Sequence, residues 1–579
     1  MTTAALTTAK GGSWLIEDAD AIFTRERLSD EHRLIDQTAD EFMTAEVMPA
    51  IDKLEQKDWA LARSLVKRCG ELGLLGTDVP DVYGGVGLDK ISAIIVGEAV
   101  GRSASFATTF GAQTGLAITP LICFGTEEQK RQYLPGLVSG ETIGAYALSE
   151  SGSGSDALAA RARAVRNADG SFSLSGEKMW ISNGSFADLF VVFAKVDGTE
   201  FTAFLVERAF PGVAGGKEEH KMGLFGSSTT PLMLQEAKVP AGNVLGEVGK
   251  GHKVAFNVLN YGRFKLAAMC SGGARAVIGD AARYALQRHQ FGQPIANFGA
   301  VRQKLAEMTV REFAVEAMLY RTAGLIDAAL QGSHEGAAVL AALEEYAIEA
   351  SILKVAGSEM IDFVVDENVQ IHGGNGFVRD YPAERYYRDA RVNRIFEGTN
   401  EINRLLIPGM LARRALKGGL LLIPAARKLQ DELLTPSMPE PPGDSPFEAE
   451  RRTVGAMKKV GLMLLGTAMQ TYGEKLADEQ EVLTAIADVL VDVFAAESVL
   501  LRSTGASELH QAAARTYIND AAGRVELGAR SALAAMTDGD TLRTLLAALR
   551  RVLKVQPVNT VALRRQIAEA VIARRGYPF

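Results

Sequence analysis

The stretch LFVVFAKVDGTEFTAFLVE, residues 189–207, decides the fold class. Two runs of β-branched and aromatic residues flank an Asp-Gly turn, which is the pattern of two strands joined by a hairpin. Similar runs lie on both sides, SFSLSG at 171–176 and PLMLQEAKV at 231–239, set off by the turns NADG and PGVAGG. Residues 144–250 therefore read as a small antiparallel sheet or barrel. Outward from it the period changes. Ile35, Ala39 and Phe42, then Leu61, Leu65 and Cys69, recur at helical spacing, and VPDVYGGVGLD (79–89) interrupts them, so 28–143 is expected to be helical. Beyond 250 come three long helical patterns, 252–270, 301–326 and 344–371, giving a helical unit over 251–413. The succession is α–β–α, mainly α with a central β domain. It is not the strand–helix alternation of a doubly wound parallel sheet.

At the ends, residues 1–27 read as a flexible N-terminus, and 414–446 as a connecting segment closing on the proline-rich linker TPSMPEPPGDSP (435–446). An extra Ala/Leu-rich helical domain is expected over 447–579. A net charge of −8 on 579 residues argues against nucleic acid, whose phosphates demand a basic footprint. Cys69, Cys123 and Cys270 form no CxxC pair and the seven histidines have no ligand spacing, so no metal is expected and a reducing cytoplasm fits. The first residues lack the basic and apolar regions of a secretory signal, and no apolar run approaches the roughly 20 residues that span a bilayer. Arg543, Arg550, Arg551, Lys554, Arg564, Arg565, Arg574 and Arg575 lie among Leu, Val and Ile, the pattern either of an interfacial helix in peripheral membrane contact or of a solvated helix face.

Five motifs carry chemistry. YALSESGSGSDA (146–157) contains Gly152-x-Gly154-x-x-Ala157, but hairpin signals follow it instead of a helix, so the dinucleotide fingerprint fails. What is left is a loop whose N–H groups and hydroxyls at Ser149, Ser151 and Ser155 suit a pyrophosphate or a ring edge. KMWISNG (178–184) offers Trp180 either as packing or as a flat wall for an isoalloxazine, with Ser182 beside it. RHQFGQPI (288–295) presents Arg288 at a helix interruption. QIHGGNGF (370–377) places three glycines in helical sequence at about 1 kcal/mol each relative to alanine, a cost that a ligand approaching the backbone would explain; His372 itself reads as structural. RDARVNRIFEGTNEINR (388–404) puts Glu397 before a Gly-Thr bend from which a carboxylate projects into a cleft, or else pairs with Arg391, Arg394 or Arg404.

In this order the segments resemble the acyl-CoA dehydrogenase family over roughly residues 30–413. LNYGRF (259–264), FGQPIANFGAVRQKLAEM (291–308), RIFEGTNEINR (394–404) and the C-terminal extension are similar to its very-long-chain branch. The resemblance implies an N-terminal helical domain, a middle β-barrel, a C-terminal four-helix bundle and the extra helical domain. It implies FAD as cofactor and oxidation of a long-chain acyl-CoA to the trans-2-enoyl product in fatty-acid β-oxidation, with Glu397 as α-proton acceptor and flavin N5 as hydride acceptor. Tyr146, Leu148, Ser149 and Ser155 match the flavin-binding stretch, and Trp180, Ile181 and Ser182 match the isoalloxazine wall. Arg288, Phe291, Gln370, Ile371, Gly373 and Gly374 match positions reaching a neighbouring subunit's flavin. Thr399, Asn400 and Glu401 match the last flavin-contacting stretch. Ser155, Asn260, Arg263, Phe396 and Gly398 match substrate contacts. Electron-transfer flavoprotein is the implied acceptor and a homodimer the implied assembly. An acyl-CoA oxidase, or an assembly scaffold on the same fold, are the alternatives.

Overall fold

The computed structural model describes residues 9–434 and 447–579; the linker 435–446 lies outside the described residues. The first helices start where the sequence supplies caps. Ser29 caps Asp30–Phe42, Asp58 caps Trp59–Glu71, Asp89 caps Lys90–Val100 and Thr126 caps Glu127–Ser139, each accepting from a backbone N–H of the first turn. Ala104–Gly111 runs into wide i→i+5 turns over Ala112–Ile118, a rare geometry that recurs at functional sites.

Eight strands follow: β1 (Gly144–Ala147), β2 (Arg163–Arg166), β3 (Phe172–Ser182), β4 (Leu189–Val196), β5 (Glu200–Glu207), β6 (Val213–Gly215), β7 (Thr229–Val239) and β8 (Val244–Leu245). The pair quoted at the outset, β4 and β5, is in full antiparallel register from Leu189↔Glu207 to Val196↔Glu200. The pairing path runs β6-β7-β3-β2-β4-β5-β8, and β1 and β2 both join β4 in parallel. The sheet is therefore mixed, with two parallel pairings where antiparallel ones were expected. Neither β1 nor β2 adjoins β4 in sequence, so no hairpin turn dictates the direction of these pairings. Asn183 fastens the sheet to the helical layer, donating to the carbonyls of Thr109 and Gly144, each at 3.1 Å.

The chain then turns helical for good. Gly251–Gln287, Gly299–Leu330, Ala347–His372 and Asn400–Leu416 pack together as a four-helix layer. Glu448–Tyr472, Gln480–Ser503, Glu508–Met536, Gly539–Val552 and Thr560–Arg574 form the C-terminal domain. It is continuous with that layer through one hydrophobic core containing Ala314, Leu411, Val460, Leu490 and Val525. Buried ion pairs cross the same boundary, Arg321–Glu497 at 2.8 Å and Arg502–Glu316 at 2.6 Å. Within the connecting segment 414–446 the structure has a helix, Leu422–Leu434, packed on Glu448–Tyr472. In the basic Gly539–Val552 helix, Leu549 is buried and Leu542, Leu545, Leu546 and Val552 pack on the core, so its apolar side faces inward. No helix among the described residues is long and apolar enough to cross a membrane.

The N-terminus departs most from expectation. From residue 9 onward the supposedly flexible segment is anchored: Trp14 and Leu15 are buried, and Trp14 donates through Nε1 to Glu349 Oε1 at 2.9 Å while its ring meets Phe494 at 5.2 Å. Gly12 has φ +81° and donates to the same carboxylate at 2.7 Å; a Cβ there would meet Leu411 Cδ2 at 2.6 Å. A composition-based reading discounts three apolar residues, Trp14-Leu15-Ile16, amid Gly and Thr; they bridge the four-helix layer and the C-terminal domain. Trp14→Ala is expected to destabilise the protein by about 3–5 kcal/mol, read as a lowered midpoint in denaturant unfolding. An unchanged midpoint contradicts this anchor.

Candidate active site

Glu397 sits in the bend between Arg391–Arg394 and the Asn400–Leu416 helix, at φ +58°, followed by Gly398 at φ +76°. A glutamate in the left-handed region is strained, and such strain is held only where the surroundings fix it. They do so here. Thr399 caps the following helix by accepting from the Ile402 N–H at 3.2 Å. Asn403 donates to the carbonyls of Glu397, Gly398 and Thr399 at 3.4, 2.9 and 3.0 Å. Arg263 donates to the Glu397 carbonyl at 3.2 Å and to Asn260 Oδ1 at 3.0 Å, and both side chains are buried. Beneath the bend, the buried Lys354 donates to Asn400 Oδ1 at 2.5 Å.

The bend aims the carboxylate across Gly262 of the Gly251–Gln287 helix. A Cβ on Gly262 would lie 2.6 Å from Glu397 Oε2, so a glycine is what leaves room for it. Oε2 is buried without a hydrogen-bond partner. Nearby, the Tyr146 hydroxyl on β1 is buried and equally unpartnered. Burial pushes the Glu397 pKa up to about 7, opposed by the Arg263 and Lys354 charges. The same burial lowers Arg263 to about 10 and Lys354 to about 8, with Glu397 pulling each back up. Burial, with Glu397 adding to it, holds the Tyr146 phenol far above its ordinary range. The unsatisfied Glu397 Oε2 and Tyr146 hydroxyl, both buried, mark a place where a ligand's groups belong.

Glu397, Phe396 and Ser182 line one cavity. One wall follows the Gly251–Gln287 helix from Gly262 through Leu266, Met269 and Gly273 to Val277; the opposite wall is Ala104, Ala107, Thr108, Gly111 and Ala112. Fifteen residues separate Gly262 and Val277, about 22 Å of helix at 1.5 Å per residue.

The other expected site residues divide into two groups. Tyr146, Ser182, Asn260, Arg263, Phe396, Gly398, Thr399 and Asn400 gather around Glu397. Near them, Ile181 is buried, while Trp180, at φ +58°, is 56% exposed at the end of β3. Leu148 and Ser149 are half-buried; Ser149 is pinned by the Met179 N–H, which donates to its carbonyl at 2.9 Å. Ser155 and Glu401 are exposed and outside the cavity lining. A Cβ on Gly152 or Gly154 would meet nothing within 4 Å, so the loop they form is open to a ligand. These orphaned and open groups fit a large cofactor laid against β1, the 148–155 loop and the end of β3.

The second group lies elsewhere. Arg288 follows Gln287, itself 25 residues or about 37 Å of helix beyond Gly262. Phe291 is 93% exposed, Gln370, Gly373 and Gly374 are exposed, and Ile371 is buried. His372 stacks on Tyr284 at 3.9 Å and is structural here. None of these reaches the cavity within one chain. Sequence reasoning missed Gly262, Lys354 and Asn403 as parts of the site. A lysine inside the apolar stretch EASILKVAGSEM was the available signal for Lys354.

A buried carboxylate with a raised pKa and an unpartnered oxygen, lining a largely apolar cavity, is a group able to exchange a proton with an apolar ligand. Four family models for acyl-CoA dehydrogenase domains match, covering the N-terminal domain at residues 29–141, the middle domain at 145–237, and C-terminal domains at 249–411 and 456–551. A probable acyl-CoA dehydrogenase of Bacillus subtilis is 47% identical over 98% of both chains. The very long-chain specific acyl-CoA dehydrogenase of Macaca fascicularis is 38% identical over 79% of this chain and 73% of its own. A crystal structure of an acyl-CoA dehydrogenase complexed with FAD from Bacillus anthracis superposes with TM-score 0.96 at 45% identity, covering 99% and 100% of the two chains. Butyryl-CoA dehydrogenase from Megasphaera elsdenii gives 0.61 at 35% identity, with 67% of this chain covered. The chain belongs to the acyl-CoA dehydrogenase family.

A general base at Glu397 would work unprotonated, so with its raised pKa kcat/KM is expected to climb with pH to a plateau, with a midpoint near 7. Lys354→Met removes an opposing charge and should move that midpoint upward; a downward shift contradicts the electrostatics. Gly262→Ala should cost at least about 100-fold in kcat with the fold retained, and wild-type turnover in that variant would show that the carboxylate is not held there.

Proposed function

We propose that this protein oxidises long-chain acyl-CoA thioesters to trans-2-enoyl-CoA, with Glu397 as the α-proton acceptor. The single observation carrying this is the buried, unpartnered Glu397 Oε2 over Gly262 in the cavity lining. FAD, when bound, supplies the acceptor for the hydride leaving the β-carbon. The chain's own residues do the rest. Tyr146, Ser149, Trp180, Ser182 and Thr399 would hold the cofactor. Glu397 takes the α-proton onto its carboxylate, and its raised pKa makes it a stronger base than an exposed glutamate. Its backbone N–H donates to no protein group among the described residues, so it is available to the thioester oxygen, where enolate charge develops. One such donor is worth about 3–4 kcal/mol. Asn403, Arg263 and Lys354 keep the bend in place, and the apolar wall excludes water from the acyl chain.

Cavity length supports the long-chain reading. An extended chain advances about 1.2 Å per bond, a third of the per-residue span of an extended backbone, so about 22 Å of wall accommodates roughly 18 bonds. The small residues at 104–112 provide that space. Dimerisation fits the second group of residues: with Phe291 and Phe377 exposed at 93% and 87%, and Arg288 some 37 Å along the helix from Gly262, that surface would act on a second chain's site. We take electron-transfer flavoprotein as the electron acceptor.

Glu397→Gln is expected to retain the flavin and bind acyl-CoA while losing about 10³–10⁴ in kcat, measured by anaerobic flavin bleaching. Bleaching at the wild-type rate rejects the base assignment. Across butyryl- to palmitoyl-CoA, kcat/KM should peak at twelve carbons or more; a maximum at four overturns the long-chain reading.

A further inference from the structure

The cavity that holds Glu397 and a second, smaller pocket have Arg102, Ala104 and Tyr386 in common. Tyr386 is the one aromatic ring among the three, and a ring that lines two cavities is a partition. It sits on the Ala383–Ala390 helix, which packs against Ala347–His372 on one side and Ala104–Gly111 on the other. The same two helices supply Ile361, Ala104 and Ala107 to the wall of the larger cavity. The ring is therefore carried by an element laid across that cavity's walls.

Tyr386 stands far from the base. Burial raises its phenol above the ordinary range; Asp280 adds to this, and Arg385, Arg283 and Arg102 oppose it. Asp280 and Arg283 lie within two turns after Val277, the last residue that the Gly251–Gln287 helix gives to the cavity wall. The ring thus borders the Val277 end, about 22 Å of helix beyond Gly262. At about 1.2 Å per bond that is roughly 18 bonds, so a chain with its second carbon at Glu397 reaches the ring at about 20 carbons.

Packing alone holds the ring there. Its hydroxyl makes no hydrogen bond to protein among the described residues, while its carbons pack against the main hydrophobic core. On the far side, Ile51 and Leu54 give the second pocket apolar surface. The two carboxylates that also line it are engaged: Asp389 accepts the Leu224 N–H at 2.5 Å, and Glu55 lies 4.0 Å from the Arg388 guanidinium. An alkyl end that passed the ring would meet Ile51 and Leu54.

We propose that Tyr386 is the chain-length stop of this enzyme, a partition that ends the acyl cavity at about 20 carbons and shuts longer chains out of the pocket at Ile51 and Leu54. The inference rests on the dehydrogenase reading above, and the reaction at C2 and C3 is unchanged. The ring acts by occupying space, and the hydroxyl takes no part. Each methylene that gains an apolar site is worth about fourfold in binding, so opening the second pocket to a few carbons has a measurable effect.

The test is kcat/KM for the holoenzyme with saturated acyl-CoA thioesters of 16, 20 and 24 carbons. The wild-type value is expected to fall at least about tenfold between 20 and 24 carbons. Tyr386→Ala should raise the ratio of the 24-carbon to the 16-carbon value at least about tenfold, and Tyr386→Phe should leave it within about twofold of wild type. Should the alanine variant fail to fold, Tyr386→Leu, which keeps apolar contacts without the ring, should raise the ratio at least about threefold. Wild-type enzyme that uses the 24-carbon thioester as well as the 20-carbon one has no stop, and that result overturns the proposal while leaving the dehydrogenase reading standing. An unaltered ratio in an active Tyr386→Ala or Tyr386→Leu enzyme overturns it too. A ratio that rises as much in Tyr386→Phe as in Tyr386→Ala assigns the effect to the hydroxyl and rejects the steric role. Inactivity toward all three thioesters counts against the dehydrogenase reading itself.

Discussion

One carboxylate taken out of water governs this structure. Glu397 is buried with an unsatisfied oxygen, and burial lifts its pKa to about 7. An ionised carboxylate removed from water is costly unless charges or donors compensate. Two buried cations do so in part: Lys354 lies below the bend, and Arg263 grips its carbonyl. Neither reaches the carboxylate oxygen that faces the cavity, and that incomplete compensation keeps the group both ionisable near neutrality and reactive.

The rest of the fold can be understood as the means of keeping that compromise rigid. The Gly251–Gln287 helix supplies Gly262, Arg263 and the cavity wall from a single element. The Asn400–Leu416 helix fixes the bend from below and packs against the C-terminal domain through Gln480–Ser503. That domain is locked to the four-helix layer by a common core and by Arg321–Glu497 and Arg502–Glu316. Trp14 then ties Glu349 to Phe494, across the same junction. The extension therefore bears on the active site mechanically, although none of its residues lines the cavity.

Much of this was legible in the sequence where a local cause dominates. The β4–β5 hairpin follows from alternating branched and aromatic residues around Asp-Gly, and Glu397-Gly398-Thr399 signals its bend directly. What was not legible depends on approach between distant segments. That Gly262 is a glycine for the sake of Glu397, 135 residues later, cannot be read from LNYGRF alone. The parallel pairing of β1 and β2 with β4 joins segments that are not neighbours in sequence, and turn chemistry is silent on it. The N-terminal segment misled for a similar reason: Gly11-Gly12 suggests slack, yet Gly12 adopts a left-handed turn because the backbone there must pass close to Leu411. Arg288, Phe291 and Gly373 were legible as unusual, and they lie exposed and apart from the cavity.

The central claim is that Glu397 removes a proton from the carbon next to the thioester, separately from any electron transfer. It is tested most directly with an acyl-CoA whose β-carbon is replaced by sulfur, which can surrender an α-proton but no hydride. In D2O the wild-type holoenzyme should exchange the α-hydrogens of this compound, and Glu397→Gln, still binding it, should not. Exchange at the wild-type rate in Glu397→Gln would place the base elsewhere and contradict the account.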